Sequence, residues 1–301
     1  MAIHELLPER RTVHGHFSRD LAPVLQVDPG DSIRACTLIA SWEGAVVERH
    51  PELDAGHALI GPVAVRGAEP GDALTVEILN LRPARSGSTR VGGWSSLVND
   101  ALGLNEPPRH RVDWEIDVDA GGARALGFEV ELGPFLGVVG LAPGTPGIHS
   151  TIPPRSTGGN IDCRELVAGS TLVLPIEVEG AMLSFGDGHA AQGDGEIAGT
   201  AIECAMDEVE LRVDIVKGAR LKNAEASTPA GHITFGFSTN LNEAMLTAVE
   251  AMIDHMQSTL GLSRRDATAL ASVAVDVRVT QVVNQTLGVH ALLPASRLQR
   301  V

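Results

Sequence analysis

Residues 59–79 read LIGPVAVRGAEPGDALTVEIL, and this stretch decides the fold class. Two apolar runs, Leu59–Arg66 and Ala73–Leu79, flank the tetrapeptide Glu69-Pro70-Gly71-Asp72. Both runs are short and rich in Val, Ile and Leu, and the second alternates apolar with polar residues, as a half-buried strand does. Adjacent proline and glycine favour a tight turn. The stretch therefore predicts two β-strands joined by a turn.

The same pattern of short apolar runs and turn signals extends over the first 220 residues. The other predicted strands are Ser32–Ala40, Val112–Val118, Ala125–Glu131, Leu172–Val178 and Val209–Val216. Helical patterns are missing from the first 235 residues, which argues against βαβ repeats. We therefore expect a mainly β protein with a β-sandwich or jelly-roll-like core over residues 1–220.

The C-terminal part of the chain has a different pattern and predicts a smaller α+β unit, residues 221–301, packed on the core. Asn240-Leu241-Asn242-Glu243 has the form of a capping box, and Ala244–Leu260 has helical composition up to Gly261. A second helix is predicted from Ser263 to about Ser272. The closing segments Val273–Val283 and Val289–Leu293 are typical of strands.

The segment from Pro83 to Pro108 is rich in Gly, Ser and Pro and predicts a long irregular loop. Such a loop inside a compact protein is uncommon and is often functional. Three interpretations remain open: a lid, an oligomer contact with Trp94 as its apolar anchor, or a mobile surface loop.

Charge and hydropathy exclude several partners. The chain has 301 residues, with 38 acidic against 23 basic side chains and a net charge of −15. This charge argues against nucleic acid and anionic lipid as partners. The apolar runs are too short to span a bilayer. The N-terminus, MAIHELLPERR, carries charges where a signal peptide has an apolar run, so we expect a cytoplasmic protein.

Composition also excludes several catalytic schemes. The chain has no Tyr, and its only Lys residues are Lys217 and Lys222. Neither lies in the context that a Cys–Glu–Lys or a Ser–Ser–Lys amidase requires, and no GxSxG motif occurs. The three Cys, at 36, 163 and 204, show no CxxC spacing and indicate reduced thiols. Among routes to hydrolysis, metal-activated water remains.

The densest set of chemically capable residues is the run from Gly186 to Glu196, which reads GDGHAAQGDGE. It holds four Gly, three carboxylates and His189. Carboxylate and imidazole are zinc ligands, and carboxylates also suit calcium. Without a cation, acids this close together would repel one another. The run indicates a metal or catalytic site, and a solvated acidic turn is the alternative. Gly193, Gly195 and Gly199 have the spacing GxGxxxG, but they do not fit a dinucleotide loop, because the nearby carboxylates would oppose a pyrophosphate.

Two further motifs supply candidate partners for this run. In Gly158-Gly159-Asn160-Ile161-Asp162, a glycine-rich turn can present Asp162 inward as a metal ligand. Arg155, just before it, could bind substrate oxygen, although a surface ion pair is the commoner use of Arg. His57 precedes a predicted strand and could reach a site at the end of that strand; a capping or core histidine is the alternative.

These stretches together resemble the acetamidase/formamidase family of amide hydrolases over nearly the whole chain. The matching segments are Gly61–Asp72, Pro153–Arg155 with Gly158–Asp162, Gly180–Glu196, Gly261–Leu270 and Gln281–Val283. The resemblance implies hydrolysis of short aliphatic amides, a β-rich sandwich-like core, a bound divalent cation and a homo-oligomer. By motif position it assigns the metal and catalytic group to Asp162, Asp187, His189 and Glu196.

From this resemblance and from the chemistry of the side chains we assign roles. Asp162, Asp187 and His189 are predicted to hold a divalent cation, with zinc the first choice and calcium the second. Glu196 is predicted to move protons, with Asp194 and His57 as further catalytic candidates. The candidate substrate or oxyanion groups are Asn160, Gln192 and Arg155. Two alternatives remain: a metal-containing β-sandwich that binds a ligand without turnover, and a hydrolase of another small amide or carbamate.

Overall fold

The computed structural model describes residues 1–299, which form two β-sheets and a few helices. The strands are β1 (Ile3–Leu6), β2 (Val13–His14), β3 (Leu25–Val27), β4 (Ser32–Ala35), β5 (Leu59–Val65), β6 (Ala73–Pro83), β7 (Ser86–Val91), β8 (His110–Asp117), β9 (Gly122–Ala125), β10 (Phe128–Glu131), β11 (Phe135–Leu141), β12 (Gly158–Asn160), β13 (Thr171–Pro175), β14 (Leu183–His189), β15 (Glu203–Cys204), β16 (Met206–Val216), β17 (Glu225–Thr228), β18 (Gly231–Ser238), β19 (Asp276–Gln281) and β20 (Leu287–Leu293). The helices are α1 (Leu97–Leu102), α2 (Leu241–Leu260), α3 (Arg264–Ala274) and a 3-10 turn, Ala295–Arg297.

The first sheet has the strand order β1-β4-β16-β6-β13-β17-β18-β20-β19. Its centre is the long antiparallel pair of β6 and β16, whose inward residues include Val76 and Val213, directly opposite each other. The second sheet has the order β10-β9-β8-β7-β15-β14-β11-β12, and β5 joins it by pairing with β14. β5 also pairs with β2 and β3.

One apolar cluster draws side chains from both sheets, so the two sheets enclose a common core. Leu74 and Ile78 of the first sheet belong to it, as do Phe135 and Phe185 of the second. Their complete burial removes large apolar surfaces from water, and this burial is the main favourable term for the fold. The prediction of a mainly β, sandwich-like protein is confirmed.

The C-terminal elements match their predicted types. Asn240 caps α2 by accepting hydrogen bonds from the backbone of Asn242 and Glu243, and Gly261 ends the helix in a left-handed conformation. Strands β17 to β20 extend the first sheet beyond β13, so the sheet is continuous across residue 220. The division of the chain at that point stays a prediction.

Two local predictions were wrong. The expected single strand over residues 125–131 is a hairpin of β9 and β10, because Leu126 and Gly127 adopt positive φ of 54° and 81°, which suits a two-residue turn. The expected irregular loop of residues 83–108 contains β7 and α1. Ser96 caps α1, a helix that the serine- and glycine-rich composition hid.

Trp94 lies between these elements and contacts two other segments of the chain. The Arg109 guanidinium lies over its ring at 4.5 Å, and the ring also contacts Gly199, where a Cβ would lie 2.7 Å from Trp94 Cζ2. The segment thus reaches the loop that follows β14. Within residues 1–299, no helix has both the length and the hydropathy needed to cross a bilayer.

Candidate active site

Strand β14 carries the centre of the candidate site. All seven of its residues are buried, with β11 on one side and β5 and β15 on the other. Asp187 and His189 lie on this strand, and Asp187 Oδ1 is 3.2 Å from His189 Nε2. Glu203 on β15 is the cross-strand partner of His189, and its Oε1 is 3.3 Å from the same nitrogen. The two-residue spacing along β14 and the pairing with β15 therefore bring two carboxylates to one imidazole nitrogen.

Two other segments add carboxylates to this point. Asp162 follows β12, which pairs with β11, and its Oδ1 lies 3.8 Å from His189 Nδ1. Glu196 comes from the loop after β14 and is buried. Ligand atoms of Asp162, His189 and Glu196 lie within 4.8 Å of one another, as do those of Asp187, His189 and Glu203. The site is thus two overlapping groups that share His189.

Gln192 and Asn284 hold these groups in place. The side-chain oxygen of Gln192 lies 3.0 Å from His189 Nδ1, and its amide nitrogen donates to the backbone oxygen of Asp162 at 2.8 Å. Because an amide oxygen only accepts, this contact requires a proton on Nδ1, so in the neutral ring the lone pair is on Nε2. Asn284 donates to Asp162 Oδ2 at 2.5 Å.

Four buried polar atoms at this point have no hydrogen-bond partner among residues 1–299. They are Asn160 Oδ1, Asp162 Oδ1, His189 Nε2 and Glu196 Oε2. His189 Nε2 is close to two carboxylates but makes a properly angled hydrogen bond with neither. Buried polar atoms are rarely left unsatisfied, so such a group indicates a ligand or an ion.

The backbone of the site is held in an uncommon conformation. Asp162, Asp187 and Glu196 have positive φ of 53°, 60° and 46°. Non-glycine residues seldom adopt this region, and where they do it often marks a functional site. Three of the four acidic residues of the site, all except Glu203, thus share the same local strain.

A glycine on β11 leaves room for the side chains to meet. A Cβ on Gly137 would lie 2.5 Å from Asp162 Oδ1, 2.6 Å from Asp187 Oδ2 and 2.9 Å from His189 Cε1. Any side chain at residue 137 would therefore fill the space on which the carboxylates converge.

The electrostatics reflect this crowding of acids. Burial raises the pKa of Asp162 to about 7, with the charge of His189 opposing the rise and that of Asp187 adding to it. Burial and the charge of Asp162 raise the pKa of Glu196 well above its usual range. Burial also favours a neutral Asp187, but the charges of His189 and His57 outweigh it and lower its pKa. Neighbouring carboxyl groups thus differ in their affinity for protons, as acid–base centres require.

A cavity of about 300 Å³ opens onto these groups. Its walls include Asn160 and His57 together with the apolar side chains of Trp42 and Ile152. His57 Nδ1 lies 2.8 Å from Thr151 Oγ1, and its other ring nitrogen makes no hydrogen bond within the described residues. The volume is at the lower end of the range for small-molecule sites, roughly 300–1,000 Å³.

The structure brings most of the predicted site residues together but leaves two apart. Arg155 donates to the backbone oxygens of Pro153 and Ser150, which keeps its guanidinium in its own turn. Asp194 is partly exposed, and Arg278 is its ion-pair partner at 3.9 Å. Because residues 193–196 form a turn, Asp194 lines only a second cavity, whereas Glu196 borders that cavity and also reaches the centre. Neither Arg155 nor Asp194 lines the cavity above the carboxylates.

Sequence reasoning missed Glu203, Asn284 and Gly137. Glu203 lies on a two-residue strand, which is too short for an alternation of apolar and polar residues to be recognised. Gly137 lies inside the apolar run Leu136–Leu141, which indicates only a buried strand. Asn284 follows a predicted strand, and only its distance from residue 162 in the chain concealed its contact with Asp162.

A buried imidazole among carboxylates at the edge of a small cavity is the kind of centre that binds a divalent cation and transfers protons in hydrolases. The profile of the Acetamidase/Formamidase family matches residues 4–150 and 145–296. The chain therefore belongs to this family, and its membership confirms the predicted class of amide hydrolase.

Individual relatives support this placement. An acetamidase from Mycolicibacterium smegmatis is 28% identical over 81% of this chain and 75% of its own length. A formamidase from Methylophilus methylotrophus is 25% identical over 68% of this chain and 64% of its own length. The crystal structure of an acetamidase from Bacillus halodurans superposes with a TM-score of 0.85 at 26% identity, covering 97% of each chain.

Proposed function

We propose that this chain hydrolyses short aliphatic amides such as acetamide and formamide to a carboxylate and ammonia. The observation that carries the proposal is the convergence of four buried carboxylates on His189 beneath a small cavity. The names of the two curated relatives support this class of substrate.

The residues of the site fit a divalent cation. No Lys or Arg within residues 1–299 forms an ion pair with Asp162, Asp187, Glu196 or Glu203, so only the imidazoles of His189 and His57 can balance the charge of four carboxylates. Isolated buried charges are costly, and a cation or bound protons must compensate them. The atoms without hydrogen-bond partners, Asp162 Oδ1 and His189 Nε2, are free to coordinate.

Asp162, Asp187 and His189 would hold the cation, and Glu203, beside His189 Nε2, adds a fourth possible ligand. A nitrogen ligand among carboxylates favours zinc, whereas the number of oxygens leaves calcium as the second choice. When bound, such a cation supplies Lewis acidity, which acidifies water and polarises the amide oxygen.

Other side chains of the site are assigned to proton transfer, amide binding and orientation. Glu196 accepts a proton from the attacking water and delivers it to the amide nitrogen as the C–N bond breaks, which releases ammonia and leaves the carboxylate. Asn160 and His57 face the cavity and are placed to bind the amide or its developing oxyanion. Gln192 accepts a hydrogen bond from His189 Nδ1 and thereby fixes the orientation of the imidazole. Trp42 and Ile152 provide the apolar wall for a short alkyl group.

The test is ammonia release from acetamide and formamide by the purified protein, before and after chelation and after addition of Zn²⁺ or Ca²⁺. We expect turnover that chelation removes and one of the two ions restores. Tight amide binding without ammonia release would overturn the proposal in favour of a binding protein. Release only from longer amides or carbamates, in a panel run alongside, would retain the chemistry and reassign the substrate.

A further inference from the structure

A second group of metal-ligating side chains lies where helix α2 packs on the first sheet. It consists of Glu225 on β17, His232 on β18 and His255 on α2, and one ligand atom from each lies within 4.8 Å of the others. None of these residues touches the carboxylate centre on β14, and the proposed hydrolysis makes no use of them.

Close packing of α2 on β18 fixes the position of this group. At Gly236 the helix comes so near that a Cβ would lie 2.0 Å from the backbone oxygen of Ala244. Further along, Thr234 donates to the backbone oxygen of Ala248 at 2.8 Å. The helix therefore runs antiparallel to β18. His232, two residues before Thr234 on the strand, lies beneath the part of α2 that follows Ala248.

There the two histidines meet face to face. The rings of His232 and His255 stack with centroids 3.5 Å apart and planes 12° from parallel. His232 Nε2 lies 3.9 Å from Glu225 Oε2, which is its diagonal neighbour across the β17–β18 pair. This nitrogen is buried and has no hydrogen-bond partner in the part of the chain that the structure describes. Because the rings are stacked, their nitrogen lone pairs lie in nearly parallel planes, so a shared cation requires one ring to turn out of the stack.

An ion could reach this group through a neighbouring cavity. A cavity of about 450 Å³ reaches Glu225 and His255. Glu250 and Asp254, on its helical wall, are paired with Arg264 at 3.0 and 2.8 Å. Glu225, in contrast, makes no ion pair with Lys or Arg within residues 1–299, although Arg220 and Lys222 line the same cavity. Its carboxylate is thus available to a metal.

We propose that Glu225, His232 and His255 form a second divalent metal site, suited to a zinc-type ion and separate from the catalytic centre. Two imidazoles and one carboxylate are a common zinc ligand set, and the cavity leaves a fourth position for water. Tetrahedral zinc ligands lie about 3.3 Å from one another, so binding would require His255 to rotate out of the stack into the cavity that it lines, while the three ligand atoms move together by about 1 Å. The ion would tie α2 to the sheet and stabilise the packing of the C-terminal helices.

The test compares full-length wild-type protein with His255→Gln and with His110→Gln, a control in which an exposed histidine on β8 is replaced. Zinc per chain is measured after dialysis against buffered Zn²⁺, and thermal unfolding is followed with and without the ion. We expect wild type and His110→Gln to hold one more zinc than His255→Gln, with affinity for that ion lowered roughly 100-fold or more in the variant. Zinc should raise the unfolding temperature less in His255→Gln than in the other two.

Equal zinc content and an equal thermal response in wild type and His255→Gln would overturn the proposal. If circular dichroism shows that His255→Gln does not fold, Glu225→Gln replaces it, because that variant keeps both rings and nearly the same side-chain volume. A Glu225→Gln protein with unchanged zinc affinity would also overturn the proposal. Co²⁺ in place of Zn²⁺ gives a further readout, since a tetrahedral site with two imidazoles should produce visible absorption that His255→Gln loses.

Discussion

Gly137 lies opposite Asp187 across the β11–β14 pair, and a methyl group at Gly137 would lie 2.6 Å from Asp187 Oδ2. We therefore expect Gly137→Ala to displace the carboxylates and to lower amide hydrolysis by roughly 100-fold or more, since misplacement by about 1 Å has effects of that size. Gly133→Ala is the matched control, because its added methyl meets no atom within 4 Å. Normal activity of Gly137→Ala in a folded protein would show that the centre tolerates a side chain there.

Glu196→Gln tests the proton-transfer role. The amide is nearly isosteric with the carboxylate but cannot accept the proton from water, so we expect a loss of roughly 100-fold or more in kcat with the metal content kept. Asp194→Asn is the matched control, because it removes a carboxylate two residues away that faces another cavity. If both variants retain the parent rate, Glu196 is not the base. If both lose it, the loss of charge in this loop is responsible rather than the chemistry of one residue.

His189→Ala should lower the metal content of the protein, because a missing ligand in a buried centre is rarely replaced.

Gln192→Leu should weaken metal binding by roughly 10–100-fold, since it removes the partner that fixes the imidazole. Elemental analysis and titration with a chelator measure the two effects. Full occupancy in His189→Ala would move His189 out of the coordination sphere and leave it a role in proton transfer or positioning.

Stability should fall below neutral pH because of His14. This ring is buried, its Nδ1 lies 2.7 Å from the backbone oxygen of His16, and burial lowers its pKa from 6.5 to about 4. Between these values the unfolded chain binds more protons than the folded one, so the free energy of unfolding decreases as pH falls from 6.5 to 4. The slope from this one group is at most about 1.4 kcal/mol per pH unit.

Denaturant unfolding at several pH values between 7 and 4 measures this slope. His14→Asn, which keeps a short polar side chain but cannot titrate, should show a shallower slope than wild type. His110→Gln should keep the parent slope, since it replaces an exposed residue. A slope in His14→Asn as steep as that of wild type would assign the acid sensitivity to other groups.

We also expect the chain to form a homo-oligomer. Apolar residues remain exposed on α1 and α2, among them Leu97, Leu102 and Leu246. Symmetric association is the usual way to cover such surfaces. Light scattering at micromolar concentration should give at least twice the chain mass of 31.5 kDa. A mass equal to that of one chain would refute the prediction. The segment around Trp94 would then be interpreted as a lid.

Periodicity predicted a strand where one face is buried and the other is more exposed, as in β6, whereas β5 is buried on both faces and was recognised as a short apolar run. In β6, Leu74, Val76 and Ile78 are buried and the residues between them are less so, which is the alternation that the sequence displays. Strand order could not be predicted in this way. β13 pairs with both β6 and β17, and nothing in these short segments encodes that choice. The hairpin at Leu126 was missed because a leucine at positive φ carries no turn signal.

The site was predictable where its residues lie close together in the chain. Asp187, His189 and Glu196 fall in one glycine-rich run, and Asp162 follows another. Spacing alone could not show whether Asp194 or Glu196 belongs to the site, since the turn between them decides which carboxylate reaches the centre. Glu203 and Asn284 enter only through strand pairing and loop position, which are properties of the assembled sheets.

The contact between Asn284 and Asp162 also constrains the order of events during synthesis. Residues 162 and 284 are 122 positions apart, so a chain emerging from the ribosome can assemble most of the second sheet before the amide that holds Asp162 exists. Gly195 is likewise bridged to Gln281. Contacts of this sequence separation form late and slow folding. A chain stalled before residue 281 would thus carry the acidic side chains without the amide that holds Asp162, and on the proposed mechanism we expect the unfinished protein not to hydrolyse amides.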